Sequence, residues 1–228
     1  MEDKPIYKKV PRKKKVLAKK SGDIVAKGIL DGFDKETRIV GLTNGAFSLI
    51  SLISEVLKIT GAAKVTLSTW SAGFYDIGAF NDLRNSGLMT DVRIVIDYSF
   101  GTRLKQYATH LLEVFDEEQI RTTKNHSKFV LIQNDEWKIV ILSSMNLNEN
   151  IRSENFDISN EPIVFDMLNS FVDDLFKVRG KGLLDKGRDA EDCLNEILTN
   201  EKKITQNENN PTGFDFDFNV NFDFDLKF

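Results

Sequence analysis

Residues 126–155 read HSKFVLIQNDEWKIVILSSMNLNENIRSEN. Two apolar runs, 126–132 and 137–142, flank the turn Gln133-Asn134-Asp135-Glu136, which is the pattern of a β-hairpin. Polar clusters sit at its open ends: His126-Ser127-Lys128, Ser143-Ser144-Met145-Asn146 and Ser153-Glu154-Asn155. If 126–128 is strand, the imidazole and the ammonium project from one face. Asn146 follows a strand in a loop of small residues, where its amide can reach the same ligand. Glu154 is placed to hydrogen-bond the far ring nitrogen of His126 and fix its tautomer. An imidazole, an ammonium, an amide and a carboxylate are the groups needed to hold a phosphodiester and attack its phosphorus. One part is missing, a second imidazole to protonate the leaving oxygen. The only other histidine, His110, falls within an apolar helical stretch.

Upstream of the hairpin the pattern alternates between strand and helix. Residues 38–42, 64–70, 91–98 and 120–123 read as strands, and 46–60, 74–84 and 103–115 as helices. That order implies parallel strands joined by right-handed crossovers. Beyond the hairpin, 156–158 reads as a further strand, 162–179 as a packing helix and 190–203 as a terminal helix. The fold class expected is α/β, a mixed sheet flanked by helices. Trp70, Ser71 and Lys124 end or follow strands, where such sheets place ligand contacts.

The 228 residues suffice for one well-buried domain with tails. One cysteine, Cys193, excludes an intrachain disulfide and a cysteine-cluster metal site. No cofactor and no metal are expected. The absence of an apolar run of about 20 residues, or of a signal-peptide core, places the chain in a cytoplasm, and its Asn/Lys/Ile-rich composition points to a bacterium or a phage-infected cell. Net charge is −4, yet residues 1–20 hold nine Lys/Arg against Glu2 and Asp3. The domain plan is a basic, mostly disordered arm (1–35), a catalytic domain (36–180), a helical segment (181–205) and a linker with tail (206–228). In that tail Phe, Val or Leu fills every even position from Phe214 to Phe228. This strict period of two marks a two-faced strand that could pair with its own domain, with a protein partner, or compete for the basic groove.

The three polar clusters resemble the signature of the phospholipase D superfamily: His-x-Lys, a small-residue Ser-x-Asn loop, and a downstream Ser-Glu-Asn. The likeness spans roughly residues 36–180. It implies a phospholipase D-like fold and a metal-independent phosphodiesterase. In the family two motifs meet across a pseudo-twofold axis; one histidine forms a phosphohistidine and the other serves as acid and base. A chain with one motif therefore implies a homodimer, with His126 as nucleophile and, from the second subunit, as acid/base. Lys128 and Asn146 would bind phosphate, and Ser144 and Glu154 would support them. Small single-motif members are chiefly nucleases, so nucleic acid is the expected substrate. Three departures stand out: Gln133 replaces the family's aspartate, the hairpin is three residues longer, and Ser143 replaces a glycine. Two rivals stay open: a weak or inactive nucleic-acid-binding or assembly protein acting through the 214–228 tail, and a phospholipase, which the lack of an amphipathic membrane-binding stretch disfavours.

Overall fold

A computed structural model of the chain describes residues 15–20, 26–148 and 151–183. The protein is built on one mixed sheet of eight strands in the order β1-β2-β8-β7-β6-β3-β4-β5. These are β1 (Lys15–Lys20), β2 (Thr37–Thr43), β3 (Ala63–Thr69), β4 (Met89–Asp97), β5 (Ile120–Thr123), β6 (Phe129–Gln133), β7 (Lys138–Ser143) and β8 (Glu154–Asn160). β3, β4 and β5 run parallel, as do β1 and β2. β6, β7 and β8 are antiparallel to their neighbours and join the two parallel blocks.

The helices are α1 (Ala26–Ile29), α2 (Leu49–Thr60), α3 (Phe74–Asn85), α4 (Phe100–Arg103), α5 (Lys105–Val114) and α6 (Pro162–Val178). In α2, Leu49, Leu52, Ile53, Val56 and Leu57 recur on one buried face. Ser48 Oγ accepts from Ser51 N at its start, and Gly61, at φ 77°, ends it. β3 is buried on both faces from Val65 onward, where its residues are apolar or small hydroxyl-bearing. β2 instead alternates buried and exposed along all seven residues. The main core lies under α1, α2, α3 and α5. A second, smaller cluster, including Phe129, Leu131, Val140, Phe165 and Val172, lies under α6.

Three details differ from the sequence reading. Residues expected in the disordered arm belong to the fold: β1 pairs with β2, and Ala26, Ile29, Leu30 and Phe33 are buried. Edge pairing tolerates lysines, so a Lys-rich composition hides a strand in which Leu17 packs on the core. The helix expected over 103–115 breaks at Leu104 (φ −129°, ψ 58°), which divides α4 from α5. Residues 126–128 precede β6 instead of opening it. The expected terminal helix (190–203), Cys193, the Phe/Asp tail and most of the basic arm lie outside the described residues.

Candidate active site at one edge of the sheet

The topology brings the polar clusters together. The C-terminal ends of the parallel strands β3, β4 and β5 share one sheet edge. β6 runs antiparallel to β3, so it begins there; β7 ends beside that start, and β8 begins beside the end of β7. Residues 70–71, 97–98, 124–128, 143–146 and 154 therefore meet at one edge, although they are spread over 85 positions of sequence.

His126 is exposed at this edge on an irregular segment. Lys128 Nζ lies 3.1 Å from its Nδ1 and donates to the His126 carbonyl at 2.8 Å. Imidazole and ammonium are thus neighbours, but through this local bonding and not through strand periodicity. Partial burial pushes the Lys128 ammonium below the usual lysine range, and Glu154 counteracts that shift.

A buried polar web holds the segment. The Asn125 side chain accepts from Ser127 N at 3.1 Å and donates to Ser68 Oγ at 3.0 Å and to the Thr69 carbonyl at 2.9 Å. Asn125 N donates to Asp97 Oδ2 at 3.1 Å, and Ser68 Oγ donates to the Ser127 carbonyl at 3.1 Å. Asn125 is 4% exposed and Asp97 7%. Sequence reasoning missed both, because Asn125 after a strand reads as a turn former and Asp97 sits within a stretch read as strand.

On the β7 side, Ser144 Oγ donates to Glu154 and accepts from Asn155 N at 2.9 Å. Glu154 thus engages Ser144, and the ring nitrogen Nδ1 of His126 faces Lys128. Asn146 Oδ1 accepts from Trp70 N at 3.1 Å and from Thr69 Oγ1 at 3.3 Å. The amide-to-oxygen bond from Trp70 N fixes the orientation of the carboxamide, leaving Nδ2 as the outward donor. Ser71 is buried, whereas Lys124 is exposed. Trp70 is half-buried, its ring centroid 5.8 Å from that of His126 at a 59° tilt. His110 stacks on Phe74 at 3.9 Å and 15°, with Nε2 buried and without a hydrogen bond.

His126, Lys128, Ser143 and Ser144 line an open groove of about 700 Å³ together with the apolar Phe129, Leu142, Leu168 and Phe171. Gln133, the departure from the family pattern, stands at the opposite end of β6. Five residues separate it from Lys128, roughly 16 Å of extended chain.

No protein-family model and no curated protein matches the chain. Among solved structures it is similar to Nuc of Salmonella typhimurium, a phospholipase D family member (19% identity, 63% of this chain and 96% of that one, TM-score 0.44). It is similar to NucT of Helicobacter pylori (17%, 63% and 99%, TM-score 0.45). A polyphosphate kinase of Porphyromonas gingivalis matches at 15% identity over 82% of this chain but 35% of its own, with TM-score 0.49.

Proposed function

We propose that this chain is a metal-independent phosphodiesterase of phospholipase D type, a nuclease that works as a homodimer through a phosphohistidine. The observation that carries the reading is the convergence of His126, Lys128, Asn146 and the Ser144–Glu154 pair on one sheet edge. Lys128 Nζ and Asn146 Nδ2 hold the non-bridging oxygens. In the free chain, Lys128 donating to Nδ1 leaves the proton on Nε2. An entering phosphate draws Lys128 to its own oxygens and frees Nδ1 to donate to a carboxylate, for which Glu154 is the candidate. The ring proton passes through solvent from Nε2 to Nδ1, and Nε2, now unprotonated, attacks phosphorus; the N–P bond forms as the P–O bond to the leaving oxygen breaks. His126 of the second subunit supplies the proton to that oxygen. It then takes a proton from water, whose oxygen attacks phosphorus and releases the first imidazole.

The second subunit is needed because His110 is packed on Phe74 and is not offered to the groove. An apolar surface suited to association adjoins His126: Leu142 and Phe171, in the same groove, are each 40% exposed. A nucleic-acid substrate fits the exposed Lys124 beside the site. None of the helices among the described residues is long and apolar enough to cross a membrane.

The test is incubation of wild type and His126→Ala with plasmid, single-stranded DNA and RNA in EDTA. Cleavage that survives the chelator and disappears in the variant is the expected result. Wild-type inactivity on all three substrates would overturn the reading.

A further inference from the structure

Next to the reacting groups, on the side of His126 away from the apolar wall, lies a cation–aromatic cluster. Arg103 places its guanidinium carbon 4.0 Å from the centroid of the Trp70 ring. Three contacts hold that guanidinium in place. Nε donates to Ser99 Oγ at 2.7 Å, Nη2 to the Trp70 carbonyl at 3.4 Å, and Asp97 Oδ1 stands 3.9 Å away. A third of the Arg103 side chain remains exposed. Tyr98, 56% exposed, follows Asp97 on the neighbouring strand, and its N–H donates to the Thr123 carbonyl at 2.9 Å. Trp70 and Tyr98 follow the ends of adjacent parallel strands, about 4.8 Å apart, and Lys124 follows the next.

Single exposed aromatics need no explanation. Here an indole with a guanidinium over its ring lies 5.8 Å, centroid to centroid, from the ring of His126, and the exposed Tyr98 follows the end of the next strand. Flat π surfaces beside cations are what stack an unpaired base while its phosphate is held. A duplex keeps its base faces stacked on one another and cannot offer one to this cluster. The preset Arg103 reduces the ordering cost of such a contact. Its break from α5 at Leu104 is what lets the residue turn back toward Trp70.

We propose that Trp70, Arg103 and Tyr98 form a subsite for an unpaired nucleobase flanking the phosphate at His126, so that the substrate is single-stranded nucleic acid. This rests on the phosphodiesterase reading for the identity of the neighbouring site, but it is tested by binding. The probe is a short oligothymidylate against a blunt hairpin duplex with the same number of phosphates, in EDTA, with the full-length His126→Ala chain. Binding is read by tryptophan emission and by the anisotropy of a labelled oligonucleotide. Trp137, stacked on Phe33, reports that each variant is folded.

The expected result is at least tenfold tighter binding of the single strand and quenched emission, with Trp70→Phe removing most of the quench. Stacking worth about 1–3 kcal/mol per base predicts a loss of roughly five- to 150-fold in single-strand affinity for Arg103→Ala or Tyr98→Ala, with duplex affinity nearly unchanged for Tyr98→Ala. Equal affinity for both probes, or losses in the variants that are the same for both, would overturn the subsite. Cleavage by the chain with His126 intact is scored separately. Discriminating binding without cleavage leaves the subsite standing and removes the enzyme; cleavage without discrimination does the reverse.

Discussion

The two flanks of His126 are built from opposite materials. On one side Asn125, Asp97, Ser68, Trp70 and Arg103 form a network in which side chains bond to backbone and to each other. On the other, Phe129, Leu142, Leu168 and Phe171 form an apolar wall, with Leu142 and Phe171 left partly in solvent. The difference teaches that placing a group and recruiting a partner need different chemistry. A buried hydrogen-bond network fixes one geometry, because each unmet partner costs about 1–3 kcal/mol. An exposed apolar wall fixes nothing by itself, but it gains free energy, about 25 cal/mol per Å², when a second surface covers it.

Charging the apolar flank is the largest intervention. Phe171→Asp should abolish dimerisation and lower cleavage at least 100-fold at dilute protein, while leaving the melting temperature of the monomer within a few degrees, since Phe171 is 40% exposed. Sedimentation velocity together with a cleavage assay reads both. A fully active monomer would remove the apolar flank from the account.

Cutting the polar flank comes next. Asn125→Ala strips Ser127 N–H of its acceptor and the buried Ser68 and Thr69 of a donor. A loss of about 2–4 kcal/mol in urea unfolding is expected, with cleavage reduced more than tenfold under conditions where the variant is still folded. Loss of stability with unchanged kcat would show that the network supports the fold and not His126.

The smallest effect sharpens the comparison by lying outside both flanks. Gln133→Asp places an aspartate at the far end of β6, beside Lys64 and Lys138 in the ladder. The expected change in cleavage is less than about twofold, because that separation exceeds a Debye length at physiological salt. A large gain would show that the far end of the strand governs the site.

The comparison also explains what the sequence made legible. β6 and β7 are continuous apolar runs, β3 and β4 are rich in β-branched residues, and α2 repeats its apolar residues on one face, so their types and order could be read directly. The motif residues His126, Lys128, Ser144, Asn146 and Glu154 were visible as chemistry before any fold was known. What supports them was not. β1 pairs with β2 through a lysine-rich stretch, and Asn125 looks like an ordinary turn residue until three strand ends meet. The strand expected at 126–128 is absent because the Asn125 side chain and the Lys128 ammonium bond to backbone groups there, in competition with a ladder. Ser71, expected at the substrate, is buried. Arg103 was hidden because a single helix was expected where Leu104 divides two.

The central claim is that one site needs two copies of His126. Its most direct test mixes wild-type chains with His126→Ala chains, allows subunits to re-associate, and measures cleavage per wild-type chain. A composite site predicts a fall to about one half at a one-to-one ratio and toward zero at large excess of the variant, as random pairing into twofold dimers requires. Cleavage per wild-type chain that stays constant at every ratio, with exchange confirmed by differently tagged subunits, would contradict it.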